Sequence, residues 1–429
     1  MKKTNILVDG FNLGLLKGSG IKTYGMTLLE AYSTMGYDVG VLLDNNYITG
    51  KVSLLDEVNL FDQEEIKPKS YFNYRWFNAL KALSYLLRKR KGHLIVPSVT
   101  EPNPENYLSH VVGEQYQYIE NIADVFHSAN RLFALTNKVT TIKVKKQPDI
   151  FHLTTPWPIQ IKGAKTVITI HDLIPLKVPF TTLDVKNHFY ELFKWATQTA
   201  DLILSVSEHT KQDIMEIYDV PEEKIKVTYQ SYKGREIVSN EKDAKVYLKS
   251  KKLEKDKYIL FVGNIEPKKN IKQLIRAFAY IKKGYKLAIV GHRAWMSDSQ
   301  LVGLSSYLKK KEYVMLDYVT DEELAMLYSN AFCMVFPSLY EGFGLPVLEA
   351  MQNNCPVICS NRSSLPEVGG DAVLYVDPYK YSDIRNQLQK LITNPQLRLD
   401  MIEKGKKRVQ FFSHENYVKR LNEAYEGLI

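Results

Sequence analysis

The sequence predicts an α/β protein of two doubly wound parallel domains that face a cleft. Short apolar segments rich in β-branched residues alternate with longer amphipathic segments along the 429 residues. Such alternation is typical of a parallel sheet with helices on both faces. The pattern restarts near residue 258, after a stretch rich in lysine and glutamate over 232–257. The restart indicates a second domain. The chain length agrees with this, because domains typically contain roughly 100–200 residues.

Apolar spacing defines the elements of the first half. Strands are expected at 6–8, 39–43, 150–153, 166–170 and 202–206. Helical spacing of apolar residues predicts helices over 21–35 and 185–199. Residues 60–145 fit the alternation less well because they are aromatic-rich and basic. We therefore predict that they form an insertion with helices inside the first domain.

The second half repeats the pattern. Its first two strands, 258–263 and 286–291, each end in glycine. Further strands are expected at 333–336, 357–359 and 373–376. Helices are expected at 271–281, 322–329 and 346–353.

Composition excludes several classes of protein. Hydrophobic residues make up 45% and charged residues 24%, which argues against a largely disordered chain. No apolar run approaches the roughly 20 residues that span a bilayer. Asp9 directly follows the first apolar run, so we do not expect a secretory signal. Three cysteines form no disulfide framework in so long a chain, so we expect core thiols in a reducing, cytoplasmic protein.

The net charge of +9 indicates a partner that carries phosphate. Basic chains bind nucleic acids, anionic membranes and nucleotide substrates. Charge alone does not distinguish these partners.

The most specific motif spans 337–351. A buried strand leads into a loop with Glu341, Gly342 and Gly344, and a helix begins near Pro346, since proline is favoured in the first turn. The N–H groups at a helix start bind anions, and glycine lets a ligand approach the backbone. Glu341 and Glu349 flank this position. Two carboxylates beside a phosphate site suit a nucleotide-sugar; the alternative is a plain turn and helix start.

A second motif spans 261–271. Its strand ends in Gly263, and Asn270 is the predicted N-cap of the next helix. Lys268 and Lys269 lie at the carboxyl end of a parallel strand, where open α/β sheets bind ligands. A lysine here could neutralise a diphosphate leaving group. A solvated lysine pair is the alternative.

Two weaker motifs lie in the first half. The stretch Gly-Ser-Gly-Ile-Lys-Thr-Tyr at 18–24 contains Gly20 between a strand and a helix, and Asp44 ends the second strand. A dinucleotide-binding fingerprint would place its glycines directly after the strand, so a dehydrogenase is disfavoured. His171 and Asp172 follow a buried strand, where a histidine can bind a sugar hydroxyl or transfer a proton. A structural histidine is the alternative.

No metal site is predicted. The chain contains no D-x-D, no H-E-x-x-H and no cysteine–histidine spacing of a zinc site.

Together these four stretches resemble the family 4 retaining glycosyltransferases of bacterial polysaccharide type, which have the GT-B fold of two Rossmann-like domains. The similarity is strong over most of 255–380 and scattered over 18–24, 171–172 and 205–211. Residues 60–145 match no family pattern that we can name.

The resemblance implies a role for each matching residue on the donor side. Glu341 would contact the transferred sugar, and Glu349 would hold the ribose. The sugar and diphosphate would be lined by the backbone of Phe343, Gly344, Leu345, Pro346 and Val347.

The resemblance also implies a phosphate site and a catalytic histidine. Lys269 would bind the diphosphate, Gly20 would lie near the phosphates, and His171 would face the donor sugar. Many family members carry arginine where this chain has Asn264, so Lys268 would substitute for that cation.

The implied domains are an N-terminal Rossmann-like acceptor domain over 1–235, with the insertion at about 60–145, and a C-terminal Rossmann-like donor domain over 236–412. A helix over 413–429 would cross back to the first domain.

The implied activity is that of a metal-independent hexosyltransferase without a cofactor. It would move a hexose-type sugar from a GDP- or UDP-sugar to a hydroxyl of a glycan or lipid-linked glycan, with retention. Alternatives are a nucleotide-sugar epimerase of the same fold and a catalytically inert relative that binds sugar or nucleic acid. No nucleic-acid-binding signature supports the last, so we expect no nucleic-acid partner. Fold does not determine the sugar, nucleotide or acceptor.

A basic amphipathic segment at 71–91 has two interpretations. Its apolar residues fall at helical spacing and four cations end it. Such a helix can lie on an anionic bilayer, here the inner membrane face. The sequence by itself favours packing on the first domain instead.

Overall fold

Two parallel sheets, one in each half of the chain, organise the molecule. The computed structural model describes residues 3–13, 20–46, 48, 50–61, 91–96, 115–231, 241–281 and 284–428. The strands, in chain order, are β1 (Asn5–Asp9), β2 (Asp38–Leu43), β3 (His93–Ile95), β4 (Tyr118–Asn121), β5 (Thr140–Ile142), β6 (Ile150–Leu153), β7 (Ile159–Ile161), β8 (Lys165–Ile170), β9 (Leu202–Ser205), β10 (Ile225–Val227), β11 (Tyr258–Val262), β12 (Lys286–Val290), β13 (Tyr313–Leu316), β14 (Cys333–Phe336), β15 (Val357–Ser360) and β16 (Leu374–Val376).

The helices cover both faces of these sheets. They are α1 (Gly20–Thr34), α2 (Ser53–Phe61), α3 (Val125–Thr136), α4 (Ile174–Lys177), α5 (Lys186–Thr199), α6 (Glu208–Tyr218), α7 (Glu241–Ser250), α8 (Ile271–Ala279), α9 (Ser297–Tyr307), α10 (Asp321–Asn330), α11 (Leu345–Gln352), α12 (Leu365–Gly369), α13 (Tyr381–Thr393), α14 (Pro395–Gln410) and α15 (His414–Tyr425). Among the described helices, none has the length and apolar character needed to cross a bilayer.

The first sheet has the strand order β10-β9-β8-β6-β1-β2-β4-β3 in the described part of the chain. All its pairs are parallel except β3 with β4. Because β1 lies inside the sheet, all five of its residues are buried. Because the strands of this sheet run parallel, apart from β3, their carboxyl ends lie along one edge of the sheet. A separate pair joins β5 and β7.

The second sheet is fully parallel, with the order β13-β12-β11-β14-β15-β16. Alternate residues of β11 point to opposite faces of the sheet and pack in two different hydrophobic clusters. Ile259 and Phe261 pack with α8, whereas Leu260 and Val262 pack in the cluster that also contains Val347 of α11. Burial on both faces explains the nearly continuous apolar runs of these strands. The predicted α/β fold of two doubly wound sheets is confirmed.

Part of the predicted insertion belongs to the first sheet itself. β4 pairs in parallel with β2, and α3 follows it. The sequence did not predict this strand because it carries the buried polar residues Glu120 and Asn121. The Glu120 carboxylate accepts hydrogen bonds from the backbone N–H groups of Lys145 and Lys146, at 2.9 and 2.8 Å. Residues 62–90 and 97–114, including nearly all of the basic segment 71–91, lie outside the described residues.

The last helix, α15, packs against α1 of the first half. Tyr425 on α15 shares a short hydrogen bond with Tyr32 on α1, and Tyr32 bonds to His152 Nδ1 at 2.5 Å. His152 Nε2 in turn bonds to Thr169 Oγ1 at 2.8 Å. Burial lowers the pKa of His152 to about 3, so the network is uncharged at neutral pH. A buried network in which each member has a partner gives α15 a specific position.

Candidate active site

The candidate active site lies where the carboxyl ends of the two sheets touch. Gly342, in the loop after β14, packs against His171, which follows β8. A Cβ added at Gly342 would lie 2.1 Å from the His171 carbonyl oxygen. Thr210 Oγ1 donates to the carbonyls of His171 and Gly342, at 3.2 and 3.4 Å. A Cβ added at Gly20 would lie 3.5 Å from Leu345, so the start of α1 also meets the start of α11.

Glu341 forms a buried ion pair with Lys269. Lys269 Nζ donates to Glu341 Oε1 at 2.6 Å, and the two side chains are only 12% and 10% exposed. Burial by itself raises the pKa of Glu341, but the ammonium groups of Lys269 and Lys268 outweigh it and hold the pKa below its ordinary value. Glu341 is therefore an ionised carboxylate at neutral pH.

Lys268 stays charged although it is partly buried. Burial lowers the pKa of this lysine, but the carboxylates of Glu341, Asp172 and Glu266 together raise it above its ordinary value. Lys268 Nζ lies 3.5 Å from Glu266 Oε1. Because Asp172 belongs to the first half of the chain, charges from both halves meet here. The site thus presents two adjacent cations.

The loop before α11 is held from the side by the start of α12. Ser364 Oγ donates to the carbonyls of Glu341 and Phe343, at 2.9 and 2.6 Å. Ser363 Oγ accepts from the Glu341 N–H at 2.9 Å. Gly344 precedes α11 with φ of 120°, where residues with a Cβ are strained. These bonds fix the loop at the amino end of α11, which has Pro346 in its first turn. Free N–H groups at such a helix end are suited to binding an anion.

The glycines that end β11 and β12 bring two loops together. Gly263 and Gly291 have φ values of 142° and 145°. A Cβ at Gly291 would lie 2.1 Å from the Gly263 carbonyl oxygen. A Cβ at Gly263 would lie 3.5 Å from Lys269 Cε. The glycines thus keep this edge open to a ligand beside Lys269.

Glu349 lies half-buried in α11 and bonds to a residue that the sequence did not indicate. Tyr328 Oη on α10 donates to Glu349 Oε2 at 2.9 Å. Burial raises the pKa of Glu349 to about 7, and the Tyr328 hydrogen bond opposes this shift. Tyr328 carries no motif signal, because it is a single aromatic residue in an ordinary amphipathic helix.

His171 reaches the site with both ring nitrogens already bonded. Nε2 donates to the Thr154 carbonyl at 2.9 Å, and Nδ1 accepts from Gln230 Nε2 at 3.2 Å. Burial lowers the pKa of His171 to about 4. The imidazole is therefore neutral, and the group nearest Gly342 is the His171 backbone carbonyl.

Asn270 is the N-cap residue of α8, as predicted, but its side chain makes no capping hydrogen bond. It has the left-handed φ of 55°, and its Nδ2 donates to the carbonyls of Pro337 and Pro378, at 3.1 and 2.7 Å. The short helical turn Pro267–Lys269 directs the chain so that this side chain faces the neighbouring loops instead. Asn270 therefore ties the lysine turn to the loop that carries Glu341.

Other candidate sites find little support. In the described residues, no group of three His, Cys, Asp or Glu side chains is arranged to hold a metal ion. The predicted core thiols are confirmed, since Cys333, Cys355 and Cys359 are buried and unpaired. A shallow cavity of about 580 Å³ lies beyond the far end of α8 and is lined by Tyr280, Arg385, Asn386, Gln389, Lys390 and Thr393.

Comparisons with known proteins agree with this geometry. Residues 82–231 match the family model "Glycosyltransferase Family 4", and residues 244–408 match "Glycosyl transferases group 1". The first match begins at residue 82, so the expectation that 60–145 matches no family pattern is wrong for 82–145. O-antigen chain mannosyltransferase B of Escherichia coli is 31% identical over 269 residues, which cover 62% of this chain and 71% of that protein.

Solved structures share the whole fold. A sucrose-phosphate synthase from Thermosynechococcus elongatus superposes with a TM-score of 0.67 at 18% identity, covering 99% of both chains. The Anabaena protein HepE in complex with UDP-glucose superposes with a TM-score of 0.63 at 13% identity, also covering 99% of both chains. The fold and site thus define a GT-B glycosyltransferase that uses a nucleotide-sugar donor. The chain belongs to glycosyltransferase family 4.

Proposed function

We propose that this glycosyltransferase moves a mannosyl residue from a nucleoside-diphosphate mannose to a hydroxyl of a growing polysaccharide, with retention at the anomeric carbon. The observation that carries the proposal is the buried Lys269–Glu341 pair beside the amino end of α11. The name of the E. coli relative supports mannose and a glycan acceptor.

The two lysines and the start of α11 stabilise the leaving group. As the anomeric C–O bond breaks, negative charge grows on the diphosphate. Lys269, Lys268 and the N–H groups at the amino end of α11 supply preorganised positive potential there, which is usually the largest contribution to catalysis. A diphosphate that approaches Lys269 competes with Glu341 for its ammonium group.

Glu341 and His171 hold the transferred sugar. The ionised Glu341 accepts hydrogen bonds from sugar hydroxyls, and the backbone carbonyl of His171 accepts another. The acceptor oxygen bonds to the anomeric carbon on the face that the diphosphate leaves, and its proton passes to the departing phosphate oxygen. This balance of atoms gives retention without a covalent intermediate.

Glu349 binds the ribose. The acceptor and the donor are bound by different halves of the chain. We assign the acceptor to 1–235, the donor to 236–412, and a joining role to the helix over 413–429. Phe343, Gly344, Leu345, Pro346 and Val347 line the sugar and diphosphate, with Gly20 and Gly263 beside the phosphates.

A panel of nucleotide-sugars tests the donor assignment. GDP-mannose at a hundred times its dissociation constant should add about 2.7 kcal/mol of stability in thermal unfolding. Hydrolysis of the donor should be slow, and an added glycan acceptor should accelerate release of free nucleotide, which an epimerase would not show. Equal behaviour of all donors, or none, contradicts the proposal.

Catalysis should not require a divalent cation. Lys268 and Lys269 take the place that a metal would occupy beside the diphosphate. Turnover should therefore persist in excess EDTA. Full loss of turnover in chelator, restored by Mg²⁺ or Mn²⁺, contradicts this.

Peripheral contact with anionic membrane is proposed for the basic segment 71–91. Each cation near an anionic surface contributes about 1 kcal/mol, which salt screens. Pelleting with anionic vesicles should fall when Arg88, Lys89, Arg90 and Lys91 are changed to Ser. Equal pelleting of the two proteins rejects this contact.

A further inference from the structure

Aromatic and acidic side chains line the carboxyl edge of the first sheet beside His171. The strand order places the ends of β8, β6, β1 and β2 side by side. Parallel strands lie about 4.8 Å apart, so this row extends about 14 Å from His171. Trp157 follows β6, Phe11 follows β1, and Asp44 follows β2. The row is continuous with the contact between His171 and Gly342.

Two rings in this row form an aromatic platform. The ring centroids of Phe11 and Trp157 lie 4.6 Å apart in an edge-to-face contact, and the ring of Phe126 contacts both, at 5.6 and 5.2 Å. Phe126 is fully buried, whereas Phe11 and Trp157 are only partly buried. Their remaining exposed surface is aromatic, and aromatic side chains commonly line ligand sites.

Two polar atoms at the floor of the row lack hydrogen-bond partners. Asp9 is fully buried; its Oδ2 accepts from the Thr154 N–H, but its Oδ1 bonds to no described group. Trp157 Nε1 is likewise buried and without a described partner. A buried polar group without a partner is destabilising, so a ligand that supplies the missing hydrogen bond gains affinity. A sugar hydroxyl has the chemistry that either atom lacks, because it can donate to a carboxylate oxygen and accept from an indole N–H.

The acidic side chains Asp44 and Asp124 lie near each other at the far end of the row and disfavour a negatively charged ligand there. Asp44 is half-buried, and Asp124 and His127 are close enough to affect its ionisation. Two carboxylates repel an anionic ligand, and carboxylate oxygens accept hydrogen bonds from neutral sugar hydroxyls.

We propose that Phe11, Trp157, Asp9 and Asp44 form the subsite for a neutral terminal sugar of the acceptor glycan. The sugar stacks on the platform, and its reactive hydroxyl is directed along the row toward His171 and Glu341. The proposal rests on the proposed function, and it names the acceptor as a neutral glycan end rather than an acidic one.

Separate kinetics of donor and acceptor test the subsite. The full chain is assayed for GDP-mannose hydrolysis alone and for transfer to a ladder of α-linked manno-oligosaccharides. Trp157→Ala and Asp44→Asn should each raise the acceptor KM at least tenfold, or about 1.4 kcal/mol. Trp157→Phe keeps a ring face and should recover most of the affinity. Tyr280→Ala, an exposed aromatic residue far along α8, serves as the control and should change neither KM.

The outcomes separate the subsite from the donor site. Unchanged acceptor KM in both variants overturns the subsite, and so does an equal rise in the donor KM measured by hydrolysis. A wild-type protein that prefers a uronic-acid-terminated acceptor, or saturates with no glycan of the ladder, also overturns it. A wild-type protein that neither binds nor hydrolyses any nucleotide-sugar instead refutes the proposed function, and the subsite falls with it.

Discussion

Glu341 and Glu349 are both acidic residues of one motif, but their surroundings shift their pKa values in opposite directions. The lysine pair lowers the pKa of Glu341, although burial opposes it, whereas burial raises the pKa of Glu349 to about 7. Environments that separate the pKa values of two carboxyl groups commonly mark two different roles. In the proposed function, the carboxyl group with the lowered pKa, Glu341, contacts the sugar, and Glu349, whose pKa is raised to about 7, contacts the ribose.

Replacing Glu341 with glutamine should lower kcat by about 100–1000-fold, because one transition-state contact typically contributes about 2.7–4 kcal/mol. Glutamine keeps the volume and leaves an oxygen near Lys269. Circular dichroism and thermal unfolding report whether the variant is folded. A folded Glu341→Gln protein with wild-type turnover would show that Glu341 does not act on the sugar.

Replacing Glu349 with glutamine should raise the donor KM more than it lowers kcat, because a ribose contact is remote from the breaking bond. A collapse of kcat with unchanged KM would place Glu349 at the reacting centre.

The same variant should change how stability depends on pH. The folded protein binds a proton at Glu349 up to about pH 7, whereas the unfolded chain releases it near its ordinary value of 4.5. Wild-type stability should therefore fall by about 1.4 kcal/mol per pH unit through this window, relative to Glu349→Gln. Urea unfolding of both proteins across the window measures the difference; parallel curves would contradict it.

At the scale of elements, the loop before α11 makes close backbone contacts that leave no room for a side chain at Gly342. The loop is fixed by Ser363 and Ser364 from the neighbouring α12, and Gly342 lets it reach the first half of the chain. Gly342 does not have a left-handed φ. Glycine is therefore needed at position 342 for a steric reason: a Cβ there would collide with His171 in the opposite half of the chain.

Gly342→Ala should lower kcat/KM by about 100-fold, because the new Cβ would lie 2.1 Å from the His171 oxygen and displace the two halves, and displacements near 1 Å can cost this much. Gly405→Ala in α14 is the matched control, since its nearest neighbour would be at an ordinary 3.4 Å. Similar activity of the two variants would show that the halves do not need this contact.

At the scale of the whole molecule, further hydrogen bonds connect the two halves beyond the contact of Thr210 with Gly342. Glu367 of α12 accepts from the backbone N–H groups of Glu208 and His209 at the start of α6, both at 2.7 Å. Trp295 Nε1 donates to the Thr181 carbonyl at 3.2 Å. A carboxylate at a helix amino end also interacts favourably with the helix dipole. These hydrogen bonds hold the two halves in direct contact.

Glu367→Ala should favour an open arrangement, because it removes two hydrogen bonds to a charged group, each about 1.5–3 kcal/mol. Small-angle scattering should show a larger radius of gyration without donor, and the apparent donor affinity should fall at least about tenfold. Glu222→Ala removes an exposed ion pair with Lys211 within the first half and serves as the control. An unchanged radius and affinity would mean that other contacts hold the cleft.

The sequence by itself determined the two-sheet fold, the lysine turn and the glutamate loop, because burial patterns and helix starts are local properties. The tertiary structure decided which distant polar groups meet: Tyr328 with Glu349, Gln230 with His171, and Glu367 with α6. It also decided that β4 belongs to the first sheet despite its buried polar residues. Such pairings depend on strand order and on the packing of one half against the other, which alternating apolar and polar residues do not encode.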